Sequence, residues 1–393
     1  MISVEDARAR IAAAMAALEA ETVAAARAFG RTLAHDVTAS RDQPPAAVSA
    51  MDGYAVRAAD LPSTALEPVG ESRAGAAYDG VVTAGTAVRI STGAPVPAGA
   101  DQVVVQENAR LDGTQLRTEE HPHPGRHIRR AGSDYRAGDT LLKAGTVLTP
   151  AKVSLAAAAG LGNIPVIRRP RIAILANGDE LVPAGQPPGA NEIANSGTPG
   201  LSALVFSVGG QPLSLGIARD DPDDVREALA GADGADLLVT IGGASVGAHD
   251  HLRRVFTEEG GTLAFEQVRV KPGKPTWFGL LNRLPVLGLP GNPVSAMVTA
   301  RLFLVPALRT MLGQPHALAL GFETALLGAG LEANGGRETF LRGVRDGVTG
   351  PVRALGKQES AHLAALAEAT VLIRRLPDAP ACDAGEHVDI VPL

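Results

Sequence analysis

The chain has 393 residues, 45% of them hydrophobic, which suits several cored domains of roughly 150 residues each rather than one. Its 36 Lys and Arg against 42 Asp and Glu leave a formal net charge of −6, and aromatic residues make up only 3%. That balance argues against a nucleic-acid or general polyanion binder, and the single Cys382 excludes an internal disulfide and a cysteine-built metal framework.

Ser3 followed by Asp6 reads as a helix cap. Val4, Ala7, Ile11, Met15 and Leu18 then recur at helical spacing, which predicts one thin-faced amphipathic helix to about Phe29. Glu5 and Asp6 stand where a secretion signal would be basic. Short apolar runs punctuated by Gly and Pro predict a β-rich domain over 41–140. The alanine-rich stretch 141–167 returns to helical spacing and is expected to pack beside the first helix, so 1–40 and 141–168 form a helical linker, its thin stripe suited to a neighbouring helix or subunit.

From 169 to 312 strands and helices alternate, which predicts a doubly wound α/β domain with a parallel sheet covered on both faces. Thr198-Pro199 and Asp221-Pro222 are expected to open helices, and Asn292-Pro293 a last one kinked at Pro306. The uncharged stretch 193–218 is broken by Asn195, Pro199, Gly209, Gly210 and Pro212 and does not read as a membrane span. Residues 313–393 return to short strands, read as a small β-barrel or sandwich. The expectation is a soluble, cytoplasmic, multidomain α/β plus β protein.

Four segments of the α/β domain place tight-turn glycines beside acids or bases at the ends of strands. They are Asn177-Gly178-Asp179-Glu180-Leu181, the Gly242-Gly243-Ala244-Ser245-Val246-Gly247 loop leading to Asp250, Lys271-Pro272-Gly273-Lys274-Pro275, and Leu289-Pro290-Gly291-Asn292-Pro293. On a parallel sheet these gather at one edge, where free amides and helix N-termini favour anions. Two lysines three apart suit a phosphate. Asp179, Glu180, Asp220, Asp221 and Asp250 offer oxygen ligands to a hard cation such as Mg²⁺. Together they point to metal-assisted chemistry on a phosphorylated substrate.

With Ser49-Ala50-Met51-Asp52-Gly53-Tyr54-Ala55-Val56, Ser91-Thr92-Gly93-Ala94-Pro95-Val96-Pro97, Ile128-Arg129-Arg130-Ala131-Gly132-Ser133-Asp134 and Gly336-Arg337-Glu338-Thr339-Phe340-Leu341-Arg342, the chain resembles, nearly end to end, the molybdopterin molybdenumtransferases of the MoeA type, which match the C-terminal part of gephyrin. The resemblance implies that adenylylated molybdopterin and molybdate enter, AMP leaves, and molybdenum is placed on the dithiolene. It implies an elongated homodimer with a site shared between subunits. Glu180, Asp220 and Asp250 would line the α/β side with Mg²⁺, the Gly242, Gly243, Ser245, Gly247, Pro290, Gly291 and Asn292 loops would cradle the ligand, and Lys271 and Lys274 would hold its charge. Asp52, Thr92, Arg129 and Asp134 would face it from the partner chain, and molybdopterin adenylyltransferase and other assembly proteins are the expected partners.

Three departures stand out, and they are expected to touch the ligand pocket more than the fold: Ala176 where Ser or Thr is common, Asn195-Ser196-Gly197 in place of an Asp-Ser-Asn-like turn, and Gln358-Glu359-Ser360-Ala361-His362 in place of a glycine-serine turn. They keep open a paralogue of altered activity, either adenylyltransferase-like or a non-catalytic molybdopterin-binding scaffold. The tract His121-Pro122-His123-Pro124-Gly125-Arg126-His127 resembles a metal tract but holds no carboxylate or cysteine. His249 and His251 are expected to flank Asp250 without ligating, Trp277 and Phe278 to pack the sheet, and Cys382 to fill a terminal strand.

Overall fold

A computed structural model describes residues 1–243, 251–315 and 320–393, the side chains of Ser63 and Thr64 excepted. Ser3 caps as its spacing requires, its hydroxyl accepting from the Asp6 amide at 3.0 Å, and the helix Val4–Ala13 buries Val4, Ala7 and Ile11. This helix is shorter than expected. The chain then forms a strand, Ala20–Ala24, antiparallel to Asn163–Ile167. The 141–167 stretch likewise yields only one helix, Pro150–Ala158. Alanine repeats imitate helical spacing without a broad apolar face, and Thr22 and Val23 opposite Pro165 and Ile164 favour the extended pairing. Nor does the first helix pack beside the second: it joins the core that holds Phe303, Leu304 and Met311 of the α/β domain.

The β-rich region between these linker segments is a six-stranded sheet in the order Gln102–Val105, Gly53–Val56, Thr86–Ile90, Ser63–Ser72, Gln115–Thr118, Ala109–Asp112. The α/β region is a six-stranded sheet in the order Gln211–Ala218, Arg171–Asn177, Leu237–Ile241, Leu284–Leu289, Trp277–Leu281, Thr262–Phe265. Its first four strands are parallel; the last two run antiparallel to their neighbours, so the sheet is mixed. The unexpected hairpin turns at Asn282-Arg283, both at positive φ (47° and 77°), a two-residue connection that Asn-Gly would have announced and Asn-Arg does not. Alternate residues of the central strands enter two cores: Ile172, Ile174 and Val239 on one face, Ala173, Leu175 and Leu238 on the other. Trp277 and Phe278 are fully buried sheet residues, Trp277 edge-on to Phe256 at 5.0 Å between ring centres.

The last helix runs Pro293–Thr299, then a π-helical turn Ala300–Leu304, then Val305–Met311. The irregularity thus precedes Pro306 rather than sitting on it. Pro306 has no N–H for the Leu302 carbonyl, and the wider turn absorbs the loss. This 19-residue run is long and apolar enough to cross a membrane, yet 78% of it is buried inside the protein, as befits a core helix. The C-terminal strands pair in the order Val270–Lys271, Glu338–Arg345, Val371–Arg375, His387–Pro392, Glu323–Leu326, with Val352–Ala354 also on Glu338–Arg345; Leu327, just past the Glu323–Leu326 strand, bridges Val352, and the Gly328 amide donates to the Val352 carbonyl at 2.8 Å, which curls the sheet back on itself around a core of Leu327, Val352, Ile373 and Ile390. Its first strand is borrowed from the lysine loop of the α/β region.

Candidate functional site

The sheet topology carries four loops to one edge. Residues following the Arg171–Asn177, Gln211–Ala218, Leu237–Ile241 and Leu284–Leu289 strands leave at its carboxyl end, and Trp277 enters opposite Gly288, so the lysine loop arrives at the same edge. Asn177 ties the first two together, its Nδ2 donating to the Ala218 and Arg219 carbonyls at 3.2 and 3.0 Å. Asp179 accepts from the Asp220 amide at 3.0 Å. A methyl on Gly242 (φ 92°) would meet the Asn177 carbonyl oxygen at 2.3 Å, and one on Gly291 would meet the Gly242 Cα at 3.4 Å; glycine is what lets these backbones stack. Gly243 lies against the Asn177 Oδ1, a buried acceptor with no hydrogen-bond partner. Ser245, Gly247 and Asp250 lie outside the described residues, as does His249.

Asp179 and Asp220 line a cleft of about 930 Å³ together with Gly178, Glu192, Asn195 and Thr198. Glu180 is exposed beside it, its carboxylate folded back over Gly178. The donors on this rim are all oxygen, which fits a hard cation; among the described residues no group of three or more His, Cys, Asp or Glu side chains is arranged to hold a metal. Asp221 lines the same cleft and caps the helix Pro222–Ala230, its Oδ1 accepting from the Asp223 and Asp224 amides, which lowers its pKa.

Lys271 and Lys274 are exposed on a loop whose Gly273 packs against Thr299 so closely that a Cβ would lie 2.1 Å from its Cγ2. Pro290 is buried and Asn292 exposed. Asn292 begins the last helix without a side-chain cap; its Nδ2 donates instead to Ser360 Oγ at 3.0 Å.

The second constellation lies in the β-rich region. Asp52 Oδ1 accepts from the Thr92 amide at 2.6 Å and the Thr92 hydroxyl at 2.9 Å. These bonds, the amide first, hold its carboxyl below the usual aspartate range. Ser49 pairs with Ala94 and Gly93, Ala50 donates to the His127 carbonyl, and Arg129 pairs with Val48, so the three motifs of this region form one strip. Asp134 is exposed on the same chain segment, its amide on Gln43. Among the described residues no hydrogen bond or ion pair links this strip to the α/β edge within one chain.

Two departures take on a structural meaning. Ala176 is fully buried in the sheet between its partners Ile217 and Ile241. Ser196 is the N-cap of the helix Gly197–Ser207 but makes no side-chain cap bond; Asn195 serves the first turn instead, its Oδ1 accepting from the Thr198 amide and its Nδ2 donating to the Thr198 hydroxyl, so Thr198 is not the cap. The histidine tract is braced rather than metal-shaped, with His121 and His123 held by Gln102 and Arg126 facing buried Glu120 at 3.8 Å. Cys382 is half-buried in an isolated bridge to Leu331, not in a strand.

The residue sequence reasoning passed over is Arg342. It is 1% exposed; its Nη2 lies 3.3 Å from the Glu359 carbonyl, its Nε has no partner, and burial pushes its pKa down. A lone arginine in an apolar strand, Phe340-Leu341-Arg342-Gly343-Val344, was the available signal.

Family models match the chain almost throughout: the MoeA N-terminal region (domain I and II) over 2–160, the probable molybdopterin binding domain over 173–310, and the MoeA C-terminal region (domain IV) over 324–393. Molybdopterin molybdenumtransferase 2 of Mycobacterium tuberculosis is 36% identical over 99% of both chains. The molybdopterin molybdenumtransferase of Haemophilus influenzae is 34% identical over 93% of this chain and 92% of its own. A crystal structure of the molybdopterin biosynthesis protein MoeA from Pyrococcus horikoshii superposes with a TM-score of 0.86 at 27% identity, covering 100% of both chains. This chain therefore belongs to the molybdopterin molybdenumtransferase family of the MoeA type.

Proposed function

We propose that the protein inserts molybdenum from molybdate into adenylylated molybdopterin, with release of AMP, in molybdenum cofactor biosynthesis. The observation that carries this reading is full-length similarity to curated molybdenumtransferases, accompanied by an anion-suited edge where glycine-stacked loops meet Asp179, Asp220, Lys271 and Lys274. The same full-length match disfavours an adenylyltransferase-like reading, which would need the α/β region alone.

In this reading an oxygen from water bonds to phosphorus as the phosphoanhydride P–O bond breaks, so that the pterin keeps its phosphate and AMP leaves; the dithiolene sulfurs bond to the metal of molybdate, and the displaced oxygen departs as water with the thiol protons. Lys271 and Lys274 hold the anionic ligand, and the amides of Gly243, Gly291 and Asn292 would approach it. Glu180 and Asp220, with Asp250, would hold a Mg²⁺ ion, which when bound offsets phosphate charge. Asp52 and Thr92, with Arg129 and Asp134, would close the site from a second copy.

A homodimer is the assembly this requires. An apolar groove of about 780 Å³ between the linker, the helix Gly197–Ser207, the last helix and the C-terminus supports it. Phe206 and Phe29, 68% and 66% exposed, lie at the ends of the segments flanking that groove. The working compartment is the cytoplasm, and an adenylyltransferase would supply the substrate.

The test follows AMP release and molybdenum cofactor formation from adenylylated molybdopterin with and without molybdate. Molybdate-dependent formation of both is expected; adenylyl transfer without molybdenum uptake would overturn the reading.

A further inference from the structure

The segment that leads into the lysine loop, 267–271, is paired on both sides. On one side the Glu338 amide donates to the Arg269 carbonyl at 3.1 Å, and Val270 and Lys271 pair with Glu338 and Thr339. On the other side stands Ile2. Its amide donates to the Gln267 carbonyl at 3.1 Å, and its carbonyl accepts from the Arg269 amide at 2.7 Å, a parallel bridge to Val268. Val268 then closes the loop on itself, its amide donating to the Lys274 carbonyl at 3.0 Å. The spacing of Lys271 and Lys274 is therefore referred through Val268 and Arg269 to Ile2.

What holds Ile2 is the helix it precedes. Val4, Ala7 and Ile11 share one core with Val268 and Val270, and Ile2 packs partly buried against that core. Farther along the helix, Arg10 Nη1 donates to the Ala264 carbonyl at 2.7 Å, on the strand that feeds the same segment. Helix Val4–Ala13 thus grips residues 264–269 at both ends. Because this helix belongs to the linker that also carries the β-rich region, the loop bearing both lysines is registered to that linker as well as to the sheet.

We infer that Ile2 and Arg10 are positioning residues for the anionic end of the adenylylated substrate, the first helix serving as a strap that keeps Lys271 and Lys274 at their binding spacing. This rests on the functional reading above. Neither residue touches a reacting atom; both act through residues 264–269. A lysine is a point charge on a flexible stem, so the backbone beneath it must supply the placement.

The test measures AMP release against adenylylated molybdopterin concentration, at saturating molybdate, in the full chain. Ile2→Pro keeps an apolar side chain and loses the amide that Gln267 accepts. Its KM is expected to rise at least about fivefold with kcat within about twofold, since a cation on phosphate holds ground and transition states alike. Arg10→Met keeps the stem, loses the bond to Ala264, and should shift KM the same way by less. Ser3→Ala, which weakens the helix cap and leaves both strap contacts in place, is the control for a merely structural effect: a lower melting temperature with the parental KM. A double-mutant cycle then shows the route. In a chain carrying Lys271→Ala and Lys274→Ala, Ile2→Pro should raise KM by less than about twofold more, because the charges it misplaces are already gone. If the proline variant does not fold, the same cycle with Arg10→Met decides. Full additivity in the cycle, or parental KM in the folded strap variants, overturns the inference and leaves the function standing. A parental protein without molybdate-dependent AMP release overturns both.

Discussion

The two acidic constellations are built on opposite plans. In the β-rich region Asp52 is locked, its carboxylate already accepting two bonds from Thr92 and held ionised. At the α/β edge the acids stand free at the ends of strands: Glu180 is exposed, and Asp220 enters the cleft with only its backbone amide engaged by Asp179. What is rigid there is the backbone beneath, fixed by Gly242 against Asn177 and Gly273 against Thr299. One side thus presents a preset charge, and the other presents adjustable carboxylates on a fixed platform. A locked carboxylate is suited to orienting a substrate. Free carboxylates above close-packed loops are suited to gathering around a ligand whose charge changes during reaction.

If that contrast is right, the largest effect belongs to the free acids. Glu180→Gln keeps the shape and removes the charge, and AMP release is expected to slow by about a hundredfold or more, the scale for loss of an acid–base or electrostatic group. Its melting temperature should hardly move, because an exposed carboxylate supports no core. A folded Glu180→Gln protein turning over at the parental rate would dissolve the distinction between the two sides. Removal of divalent cations by chelation should abolish turnover in the same assay, and full activity after exhaustive chelation would exclude the proposed Mg²⁺.

Much of this platform was legible from the residues alone. The alternation of strands and helices expected over 169–312 is met, as in the strand Leu237–Ile241 and the helix His251–Glu258. The Asp221-Pro222 helix start was equally plain, its aspartate being the cap. What was not legible depends on partners distant in sequence. Ala20–Ala24 becomes a strand only because Asn163–Ile167 arrives beside it, some 140 residues later. Likewise Val270–Lys271 joins the C-terminal sheet, and nothing local announces a pairing with Glu338 and Thr339.

The platform is the next target. Gly242→Ala puts a methyl 2.3 Å from the Asn177 carbonyl at a backbone φ of 92°, so the backbone must shift. A stability loss of about 1–3 kcal/mol is expected from overpacking and the strained conformation, read as a lower denaturant midpoint. Gly160→Ala, also at positive φ (98°) but with nothing within 4 Å, isolates the conformational part of that cost. Equal losses at the two positions would mean that close approach to Asn177 contributes nothing. Of intermediate size is the assembly test: Phe206→Asp should weaken dimerisation by at least tenfold in light-scattering titrations, and an unchanged self-association constant would remove Phe206 from the interface.

The smallest expected effect is the most direct measure of the lock itself. Thr92→Ala deletes the hydroxyl bond to Asp52 and keeps the stronger amide bond, so the Asp52 pKa should rise part of the way toward the ordinary aspartate value of about 3.9. The sign follows from which form the bonds favour. Both donors stabilise the carboxylate, so the folded pKa lies below the unfolded one. Whatever Asp52 contributes to stability is therefore fully present above the unfolded value and is lost as the pH falls through the folded one. Because the group is exposed, that contribution is small, and the useful readout is the carboxyl titration followed by NMR rather than melting. A rise of the Asp52 pKa in Thr92→Ala would show a carboxylate preset by its own neighbour. An Asp52 titration that is the same with and without the Thr92 hydroxyl would leave the amide as the sole lock, and the contrast between the two regions would then rest on backbone geometry on both sides.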